Sequence, residues 1–345
     1  DGSGLALPPG APVPAFVRAV CGQRHWPWHE RLALLGAAGG WALRGFRCDE
    51  ALTAAQLCGR LPPRVRAELV EPLCVAALNT PAAEASAAVF LRVLRDALFA
   101  GPGSADLLLP RRSLSELLPE PALRWLAARG AELQLGRRVG RIEADGSGWR
   151  VDGDTHDAVV VAVSATEAAR LVQPLDAAWA GLASGLRHAP IVTVYARGDG
   201  TPLAAPMLAL PAADADPAQF VFDLGALTGA TGLLAFVVSG AAAWVERGSD
   251  ATTQAVVEQA RRRLGMTVEP LRCFTEKRAT FACTPGLQRP RAAVAPGLIA
   301  AGDFVDGPYP ATLESAVRSG IDAARAAQSW FRDAKSAPGV TTTAT

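Results

Sequence analysis

Residues Leu298 to Arg325 read L-I-A-A-G-D-F-V-D-G-P-Y-P-A-T-L-E-S-A-V-R-S-G-I-D-A-A-R. The apolar run Leu298 to Ala301 predicts a short buried strand, which Gly302-Asp303 ends. A Gly/Pro-rich loop follows and closes on Pro310-Ala311-Thr312-Leu313-Glu314, where a helix is expected to begin. Ala316, Val317, Gly320, Ile321 and Ala324 then recur at helical spacing. A strand, a glycine turn and a helix start suit an electron-rich ligand. The first-turn amides of a helix lack intrahelical partners, and the helix dipole adds partial positive charge there. Asp303, just past the strand, is placed to accept hydrogen bonds from ligand hydroxyls. An ordinary strand–loop–helix of an α/β protein shows the same features, so this pattern alone leaves both readings open.

The bulk of the chain narrows the choice. Its 345 residues are enough for one large or two ordinary domains, and half of them are hydrophobic. The 34 basic and 33 acidic residues are interspersed, for a net charge of +1. That argues against a nucleic-acid partner, which would need a basic face. The basic residues are nearly all Arg, with Lys277 and Lys335 the lysines, and the high Ala content points to coding bias rather than function. Cys21, Cys48, Cys58, Cys74, Cys273 and Cys283 form no C-x-x-C pair and have no nearby His cluster. No metal site is expected, and buried thiols in a reducing cytosol are the default. No signal-peptide pattern is visible, and the apolar run from Ala235 to Val245 is too short to span a bilayer. The expectation is a cytoplasmic protein, soluble or peripheral at the inner face of the membrane.

Along the chain, Asp1-Gly2-Ser3-Gly4 reads as a hairpin turn and Leu5 to Pro14 as loop. Phe16 to about Arg47 is patterned as helix, with Trp26, Trp28, Leu32, Leu35 and Trp41 giving apolar faces. Thr53 is a cap for a helix to about Cys58. Leu61-Pro62-Pro63 breaks the pattern, and Arg64 to Ala77 predicts another helix despite Pro72. His25 and His29 have a metal-ligand spacing, but Pro27 lies between them and no third ligand follows, so solvent-facing histidines are expected. Leu73 to Leu78, an Asn79-Thr80-Pro81 turn and a second helix through Asp96, capped by Thr80, make a helical hairpin.

The wording of these segments carries more than their periodicity. A-G-D followed by P-A-T-L-E-S-A-V-R-S-G resembles the C-terminal flavin-binding motif of the amine oxidase and phytoene desaturase superfamily. P-L-C-V-A-A-L-N-T-P, A-S-A-A-V-F-L-R-V-L-R-D and D-L-L-L-P-R-R-S-L-S-E-L-L resemble one branch of it, the bacterial hydroxysqualene dehydroxylases. The resemblance runs from about residue 50 to residue 325. It implies an α/β, two-domain FAD-dependent fold, with a doubly wound FAD/NAD(P)-binding domain and an α+β substrate domain. Residues 1–105 are then the mostly helical part of the substrate domain and 176–284 its sheet part. Residues 106–175 and 285–332 belong to the FAD-binding domain, and 333–345 form a disordered tail.

In that family the acid after the glycine binds the ribityl or phosphate end of FAD, and the helix-start backbone meets the flavin pyrimidine oxygen. The resemblance therefore implies cofactor-binding roles for Gly302, Asp303, Thr312 and Leu313, with Ala316 and Gly320 as close-packing positions. A valine on the first strand of the middle block pairs its backbone with adenine, and Val139 in R-R-V-G-R-I matches it. Glu132 to Glu143, Gly148 to Asp152 and Ala158 to Ala162 are expected strands, with a helix from Glu167 to Val172. Five further strands and a helix from Thr252 to Leu264 are expected between Ala189 and Ala279. The family's opening G-x-G-x-x-G is nowhere in this chain. The expectation is that the N-terminal flavin segment is absent, leaving an open sheet edge, an uncovered apolar face and poor solubility.

The resemblance implies FAD-dependent reduction of 12-hydroxysqualene to squalene, a step of bacterial squalene and hopanoid biosynthesis. The partner is a hydrophobic C30 isoprenoid, with peripheral membrane contact and with neither nucleic acid nor metal. The chemistry needs a dry apolar channel and a proton donor. Asp96, Glu84, Glu276 and Lys277 are the catalytic candidates, each also readable as a surface or salt-bridged side chain. Alternatives are a carotenoid desaturase or an amine oxidase on the same scaffold. With Tyr195 and Tyr309 the chain's two tyrosines, an aromatic tyrosine cage is not expected. A reading of another class is a non-catalytic lipid-binding remnant of the fold.

Overall fold

A computed structural model describes residues 5–336, apart from 147 and 212. The Asp1–Gly4 turn lies outside the described residues; of the tail expected over 333–345, residues 333–336 are helical instead, continuing the C-terminal helix, and the rest lies outside the described residues. The chain divides into two compact units. The first comprises Asp1–Gln134 and His188–Pro285, the second Leu135–Arg187 and Gly286–Thr345. The sequence reading set the first crossing at residue 106, whereas these units cross at 134/135.

The first unit begins with helices α1 (Pro12–Gly22) and α2 (Trp28–Leu43). The expected single helix from Phe16 to Arg47 is thus interrupted. Pro27 has no amide hydrogen to continue α1, adopts an extended ψ of 158°, and becomes the N-cap of α2. Helix α3 (Ala54–Leu57) starts in a capping box formed by Thr53 and Gln56. Helix α4 (Pro63–Val65) runs through a π-helical turn, Arg66–Val70, into α5 (Glu71–Leu78). Pro72 falls in the first turn of α5, directly after the π turn. It cannot donate to the preceding turn, so the register widens rather than breaking.

Helix α5 ends on Asn79, which is left-handed at φ +50°. Its side chain donates to the Ala189 carbonyl (3.3 Å) and the Thr280 hydroxyl (2.9 Å), and accepts from the Gly240 amide (2.6 Å). One buried amide therefore ties the helices to three separate points of the sheet region. Helix α6 (Ala87–Phe99) is capped by Ser86. The cap expected of Thr80 is not made. Thr80 donates instead to the Leu78 carbonyl and accepts from the Cys283 amide. Helices α7 (Leu114–Leu117) and α8 (Pro119–Ala127) contain no buried residue.

In the second unit, β1 (Ile142–Asp145), β2 (Gly148–Val151) and β3 (Asp154–His156) form an antiparallel meander. The strand expected over Glu132 to Glu143 exists only from Ile142 onward. Before it, the Asp152 carboxylate takes the Gly140 and Arg141 amides (2.9 Å each) that a ladder would have used. Asp152 itself is left-handed at φ +49°, turning the partner strand away. Strand β4 (Val159–Val161) follows, then helices α9 (Ala165–Val172) and α10 (Ala177–Ser184).

The chain then returns to the first unit. Strands β5 (His188–Arg197), β6 (Met207–Ala209), β7 (Phe220–Asp223), β8 (Leu233–Val238) and β9 (Glu269–Phe281) make one sheet in the order β6-β7-β8-β5-β9. Helices α11 (Leu224–Thr228), α12 (Ala242–Arg247) and α13 (Ser249–Gln259) lie between them in sequence. A π turn, Ala260–Leu264, extends α13. Val192, Val194, Val221 and Phe236 point to one face and are sealed with Val256 and Ala260 into a core. Gln259 is fully buried, yet its amide pairs with both backbone groups of Ala218 at 2.8 Å. Burial is tolerable because neither polar end is left unpaired.

Finally β10 (Ala293–Ala295), β11 (Leu298–Ala300) and the long helix α14 (Leu313–Ser336) complete the second unit. Strand β11 pairs parallel with β4, and the order is β10-β11-β4.

Candidate functional site

The stretch from Leu298 to Arg325 folds as a strand, a loop and a helix within the second unit. Leu298 and Ala300 are fully buried, as a strand with neighbours on both sides should be. Gly302 follows, and the reason for glycine is local. A Cβ there would lie 2.6 Å from the Phe304 ring. That ring is buried and meets Trp179 edge-on, with centroids 6.3 Å apart. The Gly302 amide donates to Ser319 Oγ (3.1 Å) on α14. Gly302 is thus committed inside the unit, and the side chain beside it, Asp303, is half-exposed.

The loop from Asp303 to Pro310 is held mainly by its carbonyls. Ser315 Oγ donates to the Asp303 carbonyl (3.3 Å), and Arg289 donates to the carbonyls of Asp303 and Tyr309 (3.2 Å each) and of Gly307. Thr312 ends the loop as the cap of α14: its Oγ1 accepts from the Ser315 amide (3.2 Å), and its carbonyl accepts from Ala316. The amides of Leu313 and Glu314 find no partner among the described residues, as helix geometry dictates for the first turn. Leu313 itself is 69% exposed. Gly320 is not a close-packing position, since a Cβ there would meet nothing within 4 Å. It lies beside Val317 and Ile321 on a face of α14 that the described residues leave open.

Val139 sits outside any strand, half-buried. Its carbonyl accepts from Arg170 Nη2 at 2.7 Å, and the Gly140 carbonyl from Nη1 of the same residue at 2.8 Å. Among the described residues the Val139 amide has no partner, and its carbonyl keeps one lone pair. Val139, Gly302, Asp303, Thr312 and Leu313 all fall within one unit.

An FAD ligand offers ribityl hydroxyls, phosphate oxygens and electron-rich ring oxygens. An acid at a turn and a row of unpaired helix-start amides match those groups in polarity. The donor set therefore fits a flavin.

The catalytic candidates lie in the first unit. Asp96 on α6 is clasped by Arg92 (2.7 Å) and Arg95 (3.1 Å). Glu84 is exposed in the turn before α6. Glu276 and Lys277 stand at an irregularity of β9. Ala189 pairs with Thr280 and Ile191 with Glu276, so residues 277–279 bulge opposite Pro190. A proline has no amide to offer that strand, which explains the bulge. Both side chains are exposed, and Glu276 accepts from the Arg278 amide (3.1 Å). His25 and His29 are exposed, and no group of potential metal ligands occurs among the described residues.

Sequence reasoning passed over Glu30. It is 8% exposed, and its Oε2 has no partner among the described residues. A single acid at the start of a helix has no periodic signature, so burial alone singles it out. The buried cysteines are poor nucleophiles. Burial pushes the Cys58 thiol up to about 12, with Arg66 pulling the other way. Burial, with Glu71 adding to it, does the same to Cys74.

Beyond this geometry stand the comparisons with known proteins. Residues 7–328 match the family of flavin containing amine oxidoreductases. The chain belongs to that family. Its cofactor is FAD. A hydroxysqualene dehydroxylase of Rhodopseudomonas palustris is 31% identical over 278 residues, 74% of this chain and 61% of the relative. One of Sinorhizobium fredii is 30% identical over 276 residues, with the same coverage. The chain thus spans about three fifths of the length of the curated relatives it matches. Among solved structures, an oxidoreductase of Methanosarcina mazei superposes with a TM-score of 0.67 at 14% identity, over 87% of this chain and 73% of that one. Cyclohexylamine oxidase of Brevibacterium oxydans gives 0.57 at 16% identity, over 82% and 69%. These likenesses establish the α/β, two-domain fold of FAD-dependent oxidoreductases. Among the described residues no helix is long and apolar enough to cross a membrane.

Proposed function

We propose that this protein is an FAD-dependent oxidoreductase that reduces hydroxysqualene to squalene. The observation that carries the reading is the kinship with relatives bearing that one name, matched over 74% of this chain. The first unit offers chemistry in keeping with it. The sheet face opposite the sealed core presents Thr193, Tyr195, Phe220, Phe222 and Val237, all half-exposed, with Phe274 50% exposed on β9. The aromatic part of this face suits a hydrocarbon chain, and Arg272 and Glu276 flank it on the same side of β9.

In this reading Asp303 and the Leu313 and Glu314 amides hold the flavin, and the Val139 backbone receives the adenine. Bound and reduced, the cofactor supplies the hydride that replaces the substrate hydroxyl, which takes up one proton and leaves as water. The protein's own work is to orient the chain on the apolar face, exclude bulk water and deliver that proton. Glu30 joins Asp96, Glu84, Glu276 and Lys277 as a proton-donor candidate, on the strength of its burial and its unengaged oxygen. We also propose peripheral membrane contact, because the substrate dissolves in lipid.

The test is product analysis. The full-length gene product is loaded with FAD, reduced without oxygen and mixed with hydroxysqualene, and the products are separated by gas chromatography with mass detection. Squalene appearing as the flavin reoxidises is the expected outcome. A reducible flavin with hydroxysqualene untouched would sink the proposal and favour a desaturase, whose more conjugated product is coloured. Peroxide release with amines would favour an amine oxidase. Lipid binding without flavin uptake would leave a non-catalytic remnant.

A further inference from the structure

We infer that Arg289 is a positioning residue for the flavin, the pin around which the Asp303-to-Tyr309 loop is folded. The inference rests on reading that loop as the flavin contact. One guanidinium reaches three carbonyls, those of Asp303, Gly307 and Tyr309. Guanidinium is planar and rigid, with five donors in a fixed fork, so these bonds fix the loop's path and not merely its charge. The pin stands on a firm base. The Pro290 carbonyl accepts from the Asp306 amide (2.9 Å), a second tie to the same loop. The Arg291 carbonyl accepts from Trp179 Nε1 (2.8 Å), and the Ala292 carbonyl from the Ala300 amide (2.7 Å) on β11. Residues 289–292 are therefore joined to the strand that leads into the loop and to the loop itself.

The electrostatic consequence concerns an electron-rich ligand. Carbonyl oxygens spent on a cation do not present those lone pairs to phosphate or ring oxygens. The helix-start amides of Leu313 and Glu314 have no partner among the described residues. A fixed positive charge within the loop also reinforces the positive end of α14. Lysine would supply the charge but not the fork.

The experiment measures FAD dissociation constants for the full-length gene product and its R289A and R289K variants, by quenching of flavin fluorescence. Far-UV circular dichroism and thermal midpoints of the FAD-free proteins are read in parallel. The expected result is at least tenfold weaker binding for R289A and an intermediate loss for R289K. Guanidinium added to R289A is expected to restore part of the affinity and the resolved visible spectrum of bound flavin. Wild-type affinity in R289A would overturn the inference. So would equal losses in both variants that guanidinium leaves unchanged, which would mark a merely structural arginine. A wild-type protein that takes up no FAD would overturn it too. Because no hydroxysqualene enters this assay, a failed dehydroxylation leaves the inference standing. Conversely, squalene formed by an R289A protein of unaltered FAD affinity would remove the inference alone.

Discussion

The five-stranded sheet of the first unit and the β10-β11-β4 sheet of the second are finished to different degrees among the described residues. The first has one face closed over by α13, and Val194, Val221 and Phe236 reach full burial there. In the second, β4 has a hydrogen-bonded neighbour on one side only, β11. Val160 on β4 and Val163 just past it are 42% and 41% exposed, and Val317 and Ile321 on α14 are 44% and 46% exposed. The contrast follows from how each sheet is built. Antiparallel β5, β7 and β8 are neighbours contributed by one stretch of about fifty residues. The parallel β4–β11 pair joins residues nearly 140 apart, 298 against 159, and a parallel strand needs cover on both faces. An open edge and apolar face of this kind are a liability for association.

If the sealed sheet is the stability centre, its core should be the costliest place to cut. Phe236→Ala is expected to lose about 4 kcal/mol through transfer and cavity terms, measured by urea unfolding. A loss below about 1 kcal/mol would mean that the first unit does not rely on this core. In the second unit the sensitive spot is the turn. Gly302→Ala is expected to cost about 2 kcal/mol, because the added Cβ meets the Phe304 ring and the site must repack. An unchanged melting temperature would show that the ring swings aside freely.

Asp216, 3% exposed in the first unit, binds Arg262 (2.7 Å) and Arg263 (2.6 Å). Burial alone would raise its carboxyl, but the two guanidiniums outweigh burial and hold it below its usual 3.8. Its contribution is therefore present above pH 3.8 and lost as the pH falls through the lowered value. Asp216→Asn is expected to cost about 1.5 kcal/mol at neutral pH and to flatten the acid limb of the stability curve. An identical acid limb in both proteins would refute this. The smallest effect belongs to the open side of the second unit. Val160→Lys should change stability by no more than about 0.5 kcal/mol while reducing self-association in light scattering. A large destabilisation would mean that Val160 is covered in solution.

The elements that sequence made legible are those with a local cause. Thr53 caps α3 because Gln56 stands at the reciprocal position, and the apolar run at Leu298 could only be a buried strand in so short a length. The alternation in β5 gives two faces of different burial, as its period of two requires. Legibility failed where distant groups intervened. Asp152 takes the amides that would have extended β1 back to Val139. Cys283 claims the Thr80 hydroxyl expected at a cap, leaving Ser86 to cap α6.

The sequence by itself determined the strand, glycine turn and helix start, the family word around them and the alternation of the long strands. These depend on residues a few positions apart, whose backbone preferences act before any tertiary contact forms. Only the tertiary structure decided which groups at that turn are free to meet a ligand. Arg289 collects three carbonyls, Phe304 fills the space over Gly302 and Ser319 takes its amide. Those choices join residues between two and twenty positions apart across folded chain, where geometry rather than propensity selects the partner.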